Sequence, residues 1–208
     1  NLTDAWRRVW QNDGGPGADG ISIEQFGKNA LAELASLKKE VLAGKYKPGL
    51  LREIELPRVG RSPRILGVPC VRDRVLQTAT TRILAPIIDS TFAEESHAYR
   101  VGHSVAGAIA QVIEARNQGY IWVVDADISD YFDCVPHIAV LERLGSVLSD
   151  TSLHSLFAIW LNTPASVGLT IRKRANGLPQ GAPISPLLAN LYLDRFDIQI
   201  RNEMRRHV

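Results

Sequence analysis

The sequence predicts an α+β fold, on the evidence of its hydrophobic periodicity, its element order and its composition. Apolar residues recur at helical spacing over most of the chain, and only four short segments have the alternation or β-branched content of strands. These segments do not alternate regularly with the helices, which disfavours a doubly wound parallel sheet. With 208 residues, 45% hydrophobic and 22% charged, the chain can bury a core and is not of a disordered or collagen-like class.

The first half of the chain predicts helices on either side of a β-hairpin. Ser22 and Gln25 form a capping-box pattern that opens the second helix. Two apolar-alternating runs, REIELP and PRILGVP, flank the turn at Arg58–Ser62 and predict the hairpin. The predicted elements are helices at 3–12, 22–43, 71–88 and 104–117, with the hairpin inside 51–68.

The second half predicts two strand regions and three helices. The run YIWVV at Tyr120–Val124 is aromatic and β-branched, so we expect a buried strand that ends at Asp125. A second strand is expected at about 166–173. The predicted helices cover 137–147, 150–162 and a long segment from Ile184 towards the C-terminus.

Charge is segregated along the chain although the formal net charge is only +2. Residues 45–82 carry nine basic and three acidic residues, whereas residues 83–170 carry three basic and ten acidic ones. Such runs are typical of solvated helix faces, and equally of a site that grips phosphates on one side and holds metal cations on the other. Composition alone leaves both interpretations open.

The most informative segment is DADISDYFD at 125–133, which places four carboxylates directly after the predicted strand. Strand geometry puts Asp125 and Asp127 on one face. Clustered carboxylates repel unless a cation neutralises them, and Mg²⁺ prefers such oxygen ligands. The alternative is an acidic turn in which Asp130 or Asp133 caps the next helix.

Two further segments carry candidate ligand-binding residues. In LPQGAP, Gln180 offers both a hydrogen-bond donor and an acceptor, and Gly181 would let the backbone lie against a flat ligand. Arg58 and Arg64 bracket the hairpin turn, with Arg61 at its tip, and could clamp a triphosphate. The alternatives are a plain strand-to-helix turn for LPQGAP and a solvated turn for the hairpin.

These three segments, in this order, resemble reverse transcriptases of the group II intron type, a lineage that includes CRISPR-associated reverse transcriptases. Together the matching segments span nearly all of the chain. They are GADGIS (17–22), YKP (46–48), RILGVP (64–69), RDRVLQ (72–77), SHAYRVGHS (96–104), DADISDYFD (125–133) and LPQGAPISPLLANLYLDRFD (178–197).

The resemblance implies a right-hand polymerase fold with helical fingers, a β-hairpin and part of a palm sheet, without a thumb. It places the fingers at 1–92 and the N-terminal part of the palm at 93–208, with about 138–178 lying back against the fingers. The implied activity is RNA-directed DNA polymerisation, in which a primer 3′-hydroxyl attacks the α-phosphate of a dNTP. Two Mg²⁺ ions, or Mn²⁺ in their place, assist that attack.

Residue by residue, the resemblance implies that Asp127 is the catalytic metal-binding aspartate and that Ile128 donates a backbone carbonyl to the second ion. Asp130 and Tyr131 form the turn whose backbone N–H groups meet the triphosphate. Phe132 is the aromatic gate against a ribose 2′-hydroxyl. Asp125 and Asp133 receive no role and are expected to be structural.

For the remaining candidates, the resemblance makes Arg58 and Arg64 the fingers residues that hold the triphosphate. Gln180 and Gly181 would touch the incoming nucleotide. Two departures from the family pattern are Arg58, where many relatives have Lys, and Gly102-His103-Ser104 in place of a Pro-Gly-Arg-Ser-like form.

The family's Y-x-D-D segment, which supplies further metal carboxylates, is absent, and the 208 residues contain no Asp-Asp pair. We therefore expect the 208 residues to comprise the fingers and the first part of the palm, and to be inactive alone. The alternative is a non-catalytic RNA-binding or maturase-like module.

Expected partners are an RNA template, a DNA or RNA primer and dNTPs, and either intron RNA or CRISPR adaptation proteins. Intron mobility, CRISPR spacer acquisition, phage defence and repair remain open as biological settings. No apolar run approaches the roughly 20 residues of a membrane span. The two cysteines form no C-x-x-C pattern, so a reducing, cytoplasmic setting is expected. A bacterial source is also expected.

Overall fold

A computed structural model describes residues 1–168 and 170–206. The helices are α1 (Leu2–Gln11), α2 (Ile23–Lys28), α3 (Ala30–Leu42), α4 (Val71–Asp89), α5 (Val105–Asn117), α6 (Tyr131–Cys134), α7 (His137–Val147), α8 (Thr151–Leu161) and α9 (Ser185–Arg206). The strands are β1 (Leu51–Arg58), β2 (Arg61–Val68), β3 (Ala165–Val167) and β4 (Thr170–Arg172). The fold is of mixed α and β composition, as the sequence predicts.

The helix predicted over residues 22–43 is divided into α2 and α3. Its start is confirmed, because Ser22 and Gln25 exchange the two hydrogen bonds of a capping box, at 3.1 and 2.8 Å. Asn29 then leaves the helical region, with φ −126° and ψ 22°. Its N–H donates to the Phe26 carbonyl and its own carbonyl accepts from Glu33, so it ends one helix and begins the next.

One four-stranded sheet contains the hairpin, in the order β2-β1-β3-β4. β1 pairs antiparallel with β2, and Glu53 lies opposite Gly67. β1 also pairs in parallel with β3 at Leu51 and Ala165. The strand predicted at 166–173 is thus two short antiparallel strands, and the sheet joins the hairpin to the segment that precedes α9.

A buried polar network ties the loop before β1 to α4 and α8. The Tyr46 hydroxyl donates to Asp73 Oδ1 at 2.7 Å and accepts from Trp160 Nε1 at 3.1 Å. The Gly49 N–H donates to Asp73 Oδ2 at 2.9 Å. Asp73 is 2% exposed, so this network anchors the base of the hairpin inside the core.

A second connection holds the segment around α6 against the segment before α9. The Leu178 N–H donates to the Phe132 carbonyl at 2.6 Å, and the Gly177 N–H donates to the Val135 carbonyl at 2.8 Å. The ring of His137 hydrogen-bonds the Gly177 carbonyl at 2.9 Å. These bonds place the end of the acidic block beside Gln180.

The predicted strand at Tyr120–Val124 is wrong for this chain. The structure gives these residues no regular secondary structure, and all five are exposed, Trp122 to 92% and Val124 to 93%. A strand requires a neighbour to receive its backbone hydrogen bonds, and no described strand lies beside this segment. The apolar run is therefore on the surface.

Helix α5, which precedes this segment, is also superficial. It has no buried residue, and Ile109, Val112 and Ile113 are each more than half exposed. Both α5 and residues 120–124 are exposed and apolar, and we refer to them together as the α5 surface. Over the described residues, no helix combines the length and apolarity needed to cross a membrane.

Candidate nucleotide site

The hairpin carries the two predicted triphosphate residues on an exposed projection. Arg58 is the last residue of β1 and pairs across the turn with Arg61, while Arg64 pairs with Leu56 further along the hairpin. The register shifts between Leu56 and Arg58, so the regular pairing is interrupted between the two positions. Arg58 and Arg64 are both exposed. The side chain of Arg61, predicted at the tip, lies outside the described residues.

The structure brings Arg64 and Gln180 together. Arg64 Nε donates to Gln180 Oε1, and the Gly67 N–H donates to the Gln180 carbonyl at 2.8 Å. The loop before α9 is thereby bonded to β2 through backbone and side chain alike. Gly181 follows with φ +111°, a conformation that favours glycine.

The middle of the acidic block forms a tight turn into α6. Asp130 has φ +49°, and its carbonyl accepts from the Asp133 N–H at 2.9 Å. The Tyr131 hydroxyl donates to the Ala189 carbonyl at 2.6 Å, and burial raises the pKa of Tyr131. The side chain of Tyr131 therefore packs against α9, and the role predicted for its backbone N–H stays a prediction.

Phe132 lies half-buried among aromatic side chains. Its ring meets those of Tyr131 and Tyr99 edge-on, with centroids 5.9 and 6.5 Å away. Tyr99 is exposed and has φ +58°, a backbone conformation uncommon for a residue other than glycine. It comes from SHAYRVGHS, so two of the matching segments meet at the predicted gate.

Asp127 and Ile128 lie on the exposed segment that precedes this turn. A carboxylate and a backbone carbonyl are the oxygen ligands that Mg²⁺ accepts, so the donor types fit the expected ion. Among the described residues, no three His, Cys, Asp or Glu side chains are grouped to hold a metal ion. Asp125, Asp127, Asp130 and Asp133 are therefore not a ready-made cluster.

The side chain of Asp133 contacts Gln180 instead of the other aspartates. Its Oδ2 accepts a hydrogen bond from Gln180 Nε2 at 3.2 Å. Sequence reasoning left Asp133 as structural because the resemblance assigns it no role. The contact depends on the hydrogen bonds between residues 132–135 and 177–178, which residue spacing does not reveal.

A cavity of about 380 Å³ adjoins this contact and is lined by charged residues that sequence reasoning also missed. Arg172 pairs with Glu53 across it. Burial lowers the pKa of Arg174, and the negative charges of Asp133 and Glu53 oppose that shift. The consecutive basic residues Arg172-Lys173-Arg174, directly before the Gly177 turn, were the available signal.

The comparison that decides the family covers most of the chain. The family described as "Reverse transcriptase (RNA-dependent DNA polymerase)" matches residues 56–208. The chain belongs to the reverse transcriptase family. The residues matched include the hairpin arginines, the acidic block and Gln180.

Similar proteins place this reverse transcriptase in the group II intron lineage. The chain is 34% identical over 189 residues to Protein YkfC of Escherichia coli K12, covering 88% of this chain and 49% of YkfC. It is 30% identical over 193 residues to the group II intron-encoded protein LtrA of Lactococcus lactis, covering 91% of this chain and 31% of LtrA.

A solved structure agrees with that placement. A chain of the partial Cas6-RT-Cas1--Cas2 complex superposes with a TM-score of 0.63 at 29% identity, covering 97% of this reverse transcriptase and 33% of the matched chain. The expected right-hand polymerase fold, helical fingers and partial palm, is confirmed by this likeness. The reverse transcriptase chain spans about half or less of the length of these relatives.

Proposed function

We propose that this reverse transcriptase segment belongs to an RNA-directed DNA polymerase that adds dNTPs to a DNA or RNA primer on an RNA template. The observation that carries the proposal is the meeting of three distant segments at one point. Arg64 of the hairpin contacts Gln180, and Gln180 contacts Asp133 of the acidic block. The Arg64 guanidinium, the Gln180 amide and the Asp133 carboxylate thus lie beside one another.

In this proposal the hairpin arginines hold the triphosphate. Arginine presents several N–H donors in a planar fork that matches phosphate oxygens. Arg58 and Arg64 are exposed on the hairpin, whose base is anchored by Asp73 through Gly49 and Tyr46. The Asp130–Phe132 turn and Gly181 would border the rest of the nucleotide, with Phe132 against its sugar.

Asp127 and the carbonyl of Ile128 would hold Mg²⁺ in the proposed site. When bound, the two ions would activate the primer hydroxyl and stabilise the leaving pyrophosphate. Because Mg²⁺ usually keeps only one or two protein carboxylates alongside substrate phosphates, Asp127 supplies part of a site. Further carboxylates, such as those of a Y-x-D-D segment, would complete it in the whole protein.

The exposed run at Tyr120–Val124 bears on how Asp127 would be positioned. Tyr120–Val124 leads directly to Asp127, yet it is exposed on both faces and without a partner strand among the described residues. Apolar β-branched and aromatic residues at this density are typical of a paired strand. We propose that a strand elsewhere in the whole protein pairs here and fixes the position of Asp127.

The test is primer extension on an RNA template by the full-length protein. Asp127→Asn removes the charge of the proposed metal ligand and should lower the rate by at least about a hundredfold, since metal assistance is lost. Asp4→Asn, at a partly exposed aspartate on α1 that pairs with Arg7, removes a carboxylate remote in sequence from the acidic block and is the matched control. An Asp127→Asn protein that extends primers at the control rate would refute the metal assignment.

The alternative is a non-catalytic RNA-binding or maturase-like module, and the basic segment 45–82 favours it. Such a module would bind RNA in a salt-sensitive manner and incorporate no nucleotide even as the full-length protein. The same extension assay, accompanied by RNA binding at two salt concentrations, separates the two. Binding without incorporation by the unaltered protein would establish the alternative.

A further inference from the structure

Gln180 lies between two groups of opposite hydrogen-bonding character. Gln180 Nε2 donates to Asp133 Oδ2 at 3.2 Å, and Gln180 Oε1 accepts from Arg64 Nε. A carboxylate accepts and does not donate, whereas a guanidinium donates and does not accept. The amide of Gln180 can therefore satisfy both neighbours in one orientation alone.

Backbone hydrogen bonds hold this line of three residues in place. The carbonyls of Phe132 and Val135, on either side of Asp133, accept from Leu178 and Gly177. Gly177 has φ +87°, and a Cβ there would lie 2.8 Å from the Asp133 carbonyl oxygen, so only glycine permits this approach. The Asp133 side chain is thus directed at Gln180 by a rigid two-segment contact.

Arg174 provides the positive charge behind Asp133. Both residues line the 380 Å³ cavity, and the Nη1 atom of Arg174 is buried without a hydrogen-bond partner among the described residues. A buried cation needs a nearby negative charge. Asp133 and Glu53 are the negative charges that act on it.

We propose that Asp133 is a positioning residue of the nucleotide site, which orients the Gln180 amide, and that Arg174 supports it from the cavity. The proposal rests on the proposed function and adds a role to it. With no nucleotide bound, Gln180 Oε1 holds Arg64. A nucleotide that draws Arg64 to its phosphates leaves Oε1 facing the ligand as an acceptor, because Asp133 still holds Nε2.

This orientation has a chemical consequence for the ligand. The atom that Gln180 presents is an acceptor, so the site favours a nucleotide that offers a hydrogen-bond donor at this position. Reversing the amide would present a donor and would place Oε1 against the Asp133 carboxylate, one acceptor against another. Asp133 therefore contributes to specificity without touching the nucleotide.

The first test does not depend on polymerase activity. Side-chain ¹⁵N spectra of the 208-residue chain report the Gln180 amide and the Arg64 Nε–H. Asp133→Leu removes the acceptor and should shift both sets of signals, while Asp4→Leu, at a partly exposed position on α1, should shift neither. Unmoved Gln180 and Arg64 signals in Asp133→Leu would overturn the proposal.

The second test uses primer extension by the full-length protein. Asp133→Leu should raise KM for dNTP about tenfold with a smaller change in kcat, because nucleotide binding loses an oriented hydrogen bond. Asp133→Asn, which retains the shape but can offer an NH₂ group to Gln180, should give an intermediate KM. Arg174→Gln should raise KM in the same direction.

Combining Asp133→Leu with Gln180→Ala distinguishes positioning from an independent role. If Asp133 acts through Gln180, the double variant should have the KM of Gln180→Ala alone. Fully additive effects would overturn the proposal. If the unaltered full-length protein does not extend primers, the proposed polymerase function fails, and the spectra of the 208-residue chain decide the positioning role.

Discussion

The carboxyl group of Asp73 shows how a single buried residue responds to its surroundings. Burial raises its pKa above the ordinary 3.8, although the hydrogen bonds from Tyr46 and Gly49 lower it. RDRVLQ is one of the matching segments, but the sequence does not show that Asp73 is buried. The hairpin base therefore rests on a carboxyl group whose charge is disfavoured.

We predict that Asp73 makes the free energy of unfolding fall as the pH rises from 3.8 through its raised folded-state pKa. In that window the folded state retains a proton that the unfolded state has lost, so raising the pH favours unfolding. Asp73→Asn should remove this contribution. The measurement is urea unfolding of both proteins across that range.

Asp150 provides a control of opposite sign. Hydrogen bonds from Ser152 lower its pKa, so its stabilising contribution is present above pH 3.8 and is lost as the pH falls through the lower folded-state pKa. Asp150→Asn should flatten the acid side of the profile. Equal pH profiles for Asp73→Asn and the unaltered chain would contradict the assignment of Asp73.

Site residues differ in how far the sequence predicts them. Arg64 and Gln180 belong to segments whose residue types and order match a family, and the structure places their side chains in contact. Asp133 and Arg174 could not be predicted in the same way, because their proposed roles rest on contacts between distant segments. Whether Asp127 binds metal remains a prediction.

Among the elements, the contact between α6 and the loop before α9 depends on Gly177. A side chain there meets the Asp133 backbone, which cannot move aside as a flexible side chain could. This contact places the acidic block beside the hairpin. The close approach at Gly177 thus helps determine how two candidate site segments meet.

We predict that Gly177→Ala lowers the free energy of unfolding by about 2–4 kcal/mol, through steric overlap added to backbone strain. Gly44→Ala is the matched control, because Gly44 has φ +65° but no atom lies within 4 Å of where an alanine methyl group would sit. It should lose only about 1 kcal/mol. Equal losses in urea unfolding would show that the contact with Asp133 is unimportant.

Elements with complete local signals agree with the sequence prediction. The capping box at Ser22 begins α2, and the hairpin forms around the turn that the two alternating runs indicate. The run at Tyr120–Val124 does not form the predicted strand. Residues with high strand propensity form a strand only where a neighbouring strand pairs with them. The break at Asn29 likewise follows from backbone geometry that helical periodicity does not reveal.

For the molecule as a whole, the α5 surface is the largest difference between sequence expectation and structure. A run with the composition of a buried strand is exposed, and the helix before it has no buried residue. Exposed apolar surfaces of this kind mark interaction sites in folded proteins. This agrees with our proposal that another strand of the whole protein pairs with residues 120–124.

We predict that Trp122→Gln changes the free energy of unfolding of the 208-residue chain by less than about 0.5 kcal/mol, because the side chain is already in water. Trp160→Gln, at a tryptophan only 3% exposed, should lose about 3 kcal/mol or more. In the full-length protein, by contrast, Trp122→Gln should be destabilising, because we propose that another strand covers this segment there. A loss at Trp122 in the short chain comparable to that at Trp160 would show that the segment packs within these residues.

Local periodicity, turn chemistry and the order of residue types were enough to establish the α+β class, most helix positions, the hairpin and the family. The three-dimensional arrangement was needed to learn that Tyr120–Val124 is exposed, that Asp73 is buried, and that Asp133 and Arg174 adjoin Gln180. The physical reason is that burial, strand pairing and side-chain orientation depend on which distant segments meet. Those meetings are governed by backbone contacts such as the one at Gly177.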